Sequence, residues 1–175
     1  MKKSILITGI AGSGKSTVCD KLREKGYKAY GIEDMKGFFT MINKKNGRKF
    51  HDYDNGNLKS VKQGNWICNI RKLQQLIGKN KGGIVFYCGT SFNLDELLPL
   101  FDKIFLLKAN QKVLRQRLSK RQSSDYGCTP DVQKWIFSWK KRWEAYYIKK
   151  GAIPINASKN LNKVVDEILK RTEPY

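Results

Sequence analysis

The stretch Gly9-Ile10-Ala11-Gly12-Ser13-Gly14-Lys15-Ser16-Thr17 has the residue types and the spacing to do chemistry. It fits the pattern G-x-x-x-x-G-K-[ST] at every position. Such a loop turns its backbone N–H groups inward, where they cradle phosphate oxygens. The helix that follows adds its positive dipole end. A lysine at position 15 reaches the β- and γ-phosphates, and a hydroxyl at position 16 can ligate Mg²⁺. The expected nucleotide-binding set is therefore Gly9, Ala11, Gly12, Ser13, Gly14, Lys15, Ser16 and Thr17, with ATP and Mg²⁺ as the implied cofactors.

The loop works only between a strand and a helix, and the flanking residues supply both. Ser4 to Thr8 is a short apolar strand. From Lys15 to Lys25 the pattern is helical: Val18 and Leu22 share one face, charged residues fill the other, and Gly26 ends the helix. Tyr27 to Ile32 reads as a second strand, Ile84 to Cys88 as a third, Ile104 to Leu107 as a fourth and Ala152 to Ile155 as a fifth. Met35 to Ile42 is expected to be helical, and 43–57 to be a loop or hairpin with turns at Asn46-Gly47 and Asn55-Gly56. Trp66, Ile67, Ile70, Leu73, Leu76 and Ile77 predict one amphipathic helix over roughly 61–79. Leu94 to Phe101 is a short helix or turn, Gln111 to Arg121 a basic helix, Gln122 to Pro130 a polar loop, Asp131 to Lys150 a long aromatic helix and Leu161 to Leu169 a closing helix. Strands alternating with helices argue for an α/β fold, a parallel sheet covered on both faces.

Composition narrows the class. The 175 residues suit a single domain, 1–175, with 40% hydrophobic and 29% charged residues. No apolar run approaches the roughly 18 residues of a membrane span. Against 15 acidic residues stand 35 Lys and Arg, a formal net charge of +20. Such a field attracts nucleotides and nucleic acid, although lysine-rich solvated surfaces are also common. The cysteines, at 19, 68, 88 and 128, make no zinc pattern, and a lone His51 leaves a His-based metal site or triad without support. The reading is of a reduced, cytoplasmic protein.

The loop, the chain length and the order of later elements resemble the P-loop small-molecule kinases, the group of adenylate kinase and shikimate kinase. That resemblance implies a P-loop NTPase fold with five parallel strands in the order 2-3-1-4-5 and a short lid, at about 117–131. It places the acceptor side at about 35–66. It also implies roles for Arg117 and Arg121, four apart on one helix face, as contacts to the nucleotide and the transferring phosphoryl group. By the same resemblance, Ala157 and Ser158, after the fifth strand, flank the base.

One departure stands out. Many relatives end the third strand with a carboxylate that positions Mg²⁺, whereas here the strand ends Phe86-Tyr87-Cys88-Gly89-Thr90-Ser91. Asp34, just after the second strand, is the best replacement; its position is similar to that of an acidic residue in shikimate kinase-like enzymes, which implies a role as a metal partner with Ser16 or as the base for an acceptor hydroxyl. Glu33 beside it is the next choice, and capping of a helix is the plain alternative for the pair. Thr90, Ser91 and Asn93 are either ligand contacts or an ordinary turn. Trp135, Trp139, Trp143 and Tyr147 form a stripe expected to pack on the core. The expected activity is transfer of the γ-phosphoryl group of ATP to a small acceptor (nucleoside, nucleotide or other hydroxyl compound), with Lys15, Asp34, Arg117 and Arg121 as catalytic residues. The alternatives are a polynucleotide or RNA-associated nucleotide kinase, and a non-catalytic nucleotide-binding module.

Overall fold

A computed structural model describes residues 2–172. Its seven strands are β1 (Lys2–Thr8), β2 (Lys28–Gly31), β3 (Phe39–Asn43), β4 (Gly64–Cys68), β5 (Gly83–Cys88), β6 (Lys103–Lys108) and β7 (Ile153–Asn156). The α-helices are α1 (Lys15–Glu24), α2 (Leu58–Gln63), α3 (Ile70–Gly78), α4 (Leu94–Leu97), α5 (Gln111–Leu118), α6 (Pro130–Lys149) and α7 (Leu161–Thr172). Five strands form one sheet in the order β2-β5-β1-β6-β7, all parallel. Renumbered over those five strands alone, this is the order 2-3-1-4-5.

Alternation along the strands builds two cores. Ile5 and Ile7 face one side of β1 and Leu6 faces the other, as the two-residue period of a strand requires. The first core joins them to Phe86, Phe105, Leu107 and Ile155, and is roofed by Val18 and Leu22 of α1, Leu114 of α5, Ile136 of α6 and Val165 of α7. The second joins Leu6, Val85, Tyr87 and Leu106 to Leu73 of α3 and to Leu94 and Leu97 of α4. The tryptophans of α6 are half-buried against these cores; the Trp143 and Tyr147 rings meet at a tilt of 60° with centroids 4.7 Å apart.

Residues 35–79 depart from the sequence expectation in two places. Met35 to Ile42 is not helical: Phe39–Asn43 is a strand that pairs antiparallel with Gly64–Cys68, so the predicted helix over 61–79 is broken into α2, β4 and α3. Two local features explain the break. Any side chain at Gly64 would strike the Tyr53 ring, 2.5 Å away, which brings the backbone of β4 close to that ring. Asn69 then starts a new helix, its side chain accepting from the Lys72 N–H at 3.1 Å. The apolar positions on either side satisfy a helical period by coincidence, while Trp66 stacks across the hairpin on Phe39 at 5.2 Å.

This hairpin is tied to the main sheet through Asn93. Its Oδ1 accepts from the Cys68 N–H at 2.9 Å and its Nδ2 donates to the Cys68 carbonyl at 3.1 Å. The residue is thus a structural clamp. Replacing Asn93 with Leu strands both backbone groups and is expected to cost about 1–3 kcal/mol. Thermal unfolding should show a lower midpoint with nucleotide affinity unchanged.

Candidate active site

Parallel strands direct their carboxyl ends to one edge, and ligands in such sheets bind in the crevice there. At that edge a cleft of 330 Å³ lies between the loop 9–17 and the ends of β2 and β5. Its floor and donor wall are Gly12 to Val18, with Arg117, Arg121, Ala157 and Lys159 around them. Gly31, Glu33, Asp34 and Cys88 line the same cleft.

The loop is built around close backbone approach. A side chain at Gly9 would meet the Ser13 hydroxyl at 2.5 Å and the Leu107 carbonyl at 2.9 Å. Gly12 and Gly14 hold φ values of 79° and 100°, which disfavour a side chain. Gly9 and Ala11 do not line the cleft themselves: Gly9 gives its carbonyl to Lys15, and Ala11 packs against the first core. Replacing Gly9 with Ala is expected to push the loop out of shape at a cost of about 1–3 kcal/mol. Equilibrium dialysis with ATP should show correspondingly weaker binding.

Lys15 Nζ donates to the carbonyls of Gly9 at 2.9 Å and Ile10 at 3.3 Å. Desolvation lowers its pKa, the Glu33 carboxylate opposes this, and the Arg121 guanidinium adds to it. The Ser13 hydroxyl is buried and has no hydrogen-bond partner among the described residues. A phosphate group fits both needs: it would hold the Lys15 charge and pair the stranded hydroxyl.

Arg117 acts as a stitch. Its Nη1 donates to the carbonyls of Gly12 and Ser13, each at 3.2 Å, and its Nη2 to the Ala157 carbonyl at 2.9 Å. The guanidinium thereby joins the loop to the turn after β7. Arg121 does not share the helix face of Arg117 as expected, because α5 ends at Leu118; a turn that closes on the Leu118 carbonyl brings Arg121 to the same cleft. There its Nη1 donates to the Tyr126 carbonyl at 2.7 Å. Ser158 lies off the cleft lining, its hydroxyl accepting from the Asn110 N–H at 2.9 Å, so it shapes the turn instead.

The carboxylate that β5 lacks arrives from its neighbour. Glu33 Oε1 accepts from the Thr90 N–H at 2.6 Å, which sets an acidic group over the end of β5. Gly89 makes the room, since a side chain there would strike Ile32 at 2.6 Å. Asp34 beside it is exposed and makes no hydrogen bond or ion pair among the described residues. Ser16, Glu33 and Asp34 offer hard oxygen donors to one cleft, a set that suits Mg²⁺. Cys88 lines the same cleft, and its neighbouring thiol, joined by the Arg23 guanidinium, whose Nη2 donates to the Cys19 sulfur at 3.2 Å, holds the Cys19 pKa below its ordinary value.

Beyond Arg121, the loop 122–129 meets the loop 54–57. Asn55 Nδ2 donates to the Ser124 carbonyl at 2.9 Å, and the Thr129 hydroxyl donates to the Gly56 carbonyl at 3.3 Å. The sequence pattern gives no sign of either bond.

A family described as an AAA domain matches residues 5–137. The chain belongs to that family. It is 33% identical over 124 residues to an adenylate kinase isoenzyme 6 homolog from Plasmodium falciparum, a match covering 67% of this chain and 65% of the relative. Among solved structures, a deoxyadenosine kinase from M. mycoides with bound dATP aligns with a TM-score of 0.59 at 16% identity, over 98% of this chain and 99% of that one. Shikimate kinase from Aquifex aeolicus aligns with a TM-score of 0.55 at 18% identity, over 97% and 95% of the two chains. The AAA domain here thus has the fold of the P-loop small-molecule kinases. No helix among the described residues is long and apolar enough to cross a membrane.

Proposed function

We propose that this chain moves the γ-phosphoryl group of ATP to a hydroxyl on a small acceptor. The observation that carries the reading is that a phosphate loop and two carboxylates, Glu33 and Asp34, line one cleft. The named activities of the relatives, an adenylate kinase homolog, a deoxyadenosine kinase and a shikimate kinase, support phosphoryl transfer to a small molecule and leave open whether the acceptor oxygen is a hydroxyl or a phosphate.

In this reading the backbone N–H groups of the loop and the Lys15 ammonium hold the β- and γ-phosphates, and Arg121 faces the charge that spreads in the transition state. Arg117 is a positioning residue, since its donors bind backbone carbonyls. Ala157 borders the base. Ser16, with Asp34 or with Glu33 through water, would hold Mg²⁺, which would neutralise the phosphate oxygens. Asp34, without a partner among the described residues, takes the proton from the acceptor hydroxyl as that oxygen attacks phosphorus in line.

The test is transfer from γ-labelled ATP with Mg²⁺ to a panel of nucleosides, nucleoside monophosphates, sugars, polyols and 5′-hydroxyl RNA. Label should move to a small acceptor, and Lys15→Ala should abolish it. ATP bound without transfer to any of them would instead favour a nucleotide-binding module.

A further inference from the structure

We infer that the β3–β4 hairpin and the segment between β5 and α4 form a surface that binds single-stranded nucleic acid, with phosphates on the basic residues of the hairpin tip and a base on the Phe92 ring. The surface is separate from the nucleotide cleft, whose lining includes none of these residues. The inference goes beyond the phosphotransferase reading and stands without it.

Its first basis is charge. From Met35 to Leu94 the chain carries eleven lysines and arginines against two acidic residues, Asp52 and Asp54. None of the eleven joins an ion pair among the described residues. Elsewhere such residues do find partners, as Lys140 does in Glu144 at 2.8 Å and Arg171 in Glu167 at 2.8 Å. Four of the eleven crowd the hairpin tip, where Lys44, Lys45, Arg48 and Lys49 are all exposed. Backbone bonds hold them there: the Asn43 N–H donates to the Arg48 carbonyl and the Phe50 N–H to the Met41 carbonyl, each at 2.8 Å. Cations held together repel one another, and each phosphate they neutralise also releases condensed counterions from the strand.

Its second basis is an aromatic ring left in solvent. Among the described residues two large hydrophobic side chains are exposed, Phe92 at 63% and Tyr146 at 45%. Tyr146 is accounted for, since its hydroxyl donates to Asp95 at 3.0 Å. Phe92 stands beside the basic tip instead. Lys44 Nζ lies 5.7 Å from its ring centroid and also donates to the Lys62 carbonyl at 2.9 Å, which draws Phe92, the tip and the end of α2 into one patch. The Phe92 N–H donates to the Trp66 carbonyl at 2.7 Å, so its backbone is fixed to the hairpin. An exposed ring beside cations is a stacking platform: a base covers the ring while its phosphate meets an ammonium. A single strand offers unstacked bases for this, whereas a duplex keeps them inside. One exposed ring is too little apolar area for the core of a protein interface or for a membrane anchor.

The experiment uses the full chain and follows the anisotropy of a labelled, unstructured RNA of about 12 nucleotides as salt is raised from about 50 to 200 mM. Binding is expected, with log K falling by about 2–3 per decade of salt, the release from about three or four phosphate contacts. Lys44→Gln/Lys45→Gln/Arg48→Gln/Lys49→Gln should weaken binding at least about tenfold and flatten that slope by at least about 1. A control that removes four exposed charges on other elements, Lys112→Gln/Lys141→Gln/Lys163→Gln/Lys170→Gln, should stay within about twofold of wild type. Phe92→Ala should weaken the single strand at least about fivefold at unchanged slope and leave a duplex of the same sequence unaffected. Equilibrium dialysis with ATP, unchanged in every variant, checks that the fold persists. Equal losses in the hairpin variant and the control would mean attraction by net charge alone and overturn the inference. Failure of the single strand to bind, or indifference to Phe92→Ala, overturns it as well. So does polyglutamate or an anionic vesicle that binds more tightly than the RNA and loses its hold in the hairpin variant, a result that marks the face as a docking site for an acidic protein or a lipid surface.

Discussion

Lys15→Met is expected to lower phosphoryl transfer by at least about 10²–10³-fold, the effect of removing one preorganised donor from a developing negative charge. The fold should survive, because among the described residues the Lys15 ammonium makes hydrogen bonds only to the loop carbonyls of Gly9 and Ile10. The pH dependence supplies a second test. Desolvation first, and the Arg121 charge as well, lower the Lys15 pKa from the ordinary value of 10.5 despite the opposing Glu33 carboxylate. In the unfolded chain the lysine binds its proton more tightly than in the nucleotide-free fold, so this group costs stability at neutral pH. That cost is relieved as pH rises from the lowered value toward 10.5. Nucleotide runs the other way. Phosphate favours the charged lysine, so affinity is full below the lowered pKa and declines as pH rises through it. Calorimetric titration with ATP in wild type should show that decline, and Lys15→Met should not; equal pH slopes in the two proteins would remove Lys15 from the phosphate site.

Asp34→Asn should reduce kcat by about 10²-fold or more, the scale of a lost general base, with the KM for ATP little changed. The side chain is exposed, at the cleft rim, and has no partner among the described residues, so the substitution strands no buried group. Glu33→Gln makes the informative contrast. A glutamine oxygen can still accept from the Thr90 N–H, so the joint between β2 and β5 persists while the charge is lost. If Glu33 acts through Mg²⁺, its variant needs more Mg²⁺ for half-maximal rate; the Asp34 variant does not. The reverse pattern would exchange the two roles.

What could be read beforehand follows from how local each signal is. The loop 9–17 carries its chemistry in consecutive residues, and its strand and helix lie immediately beside it. Alternating apolar strands and helices specified the parallel sheet, and the family resemblance supplied its order. The hairpin of β3 and β4 was hidden because Trp66, Ile67 and Ile70 keep helical spacing while belonging to different elements. The contacts that decide the matter, Gly64 against Tyr53 and Asn93 against Cys68, join residues far apart in sequence. Arg121 was placed on the wrong element by one turn, since the end of α5 is set by what packs against Leu118 and no capping signal stands there. Glu33 is the sharpest case. The end of β5 lacks an acidic residue in its own sequence, yet a carboxylate from the turn after β2 stands there through the Thr90 N–H.

The two bonds between the loops 54–57 and 122–129 bear on timing. Each is worth about 0.5–1.5 kcal/mol net, enough together to bias the loops toward contact by about one order of magnitude or more. Neither loop can swing out without breaking both bonds, so the two segments move as one unit. In the proposed transfer, a turnover step in which this latch opens would make kcat fall as glycerol thickens the solvent, and Asn55→Ala should then turn over with less sensitivity to viscosity.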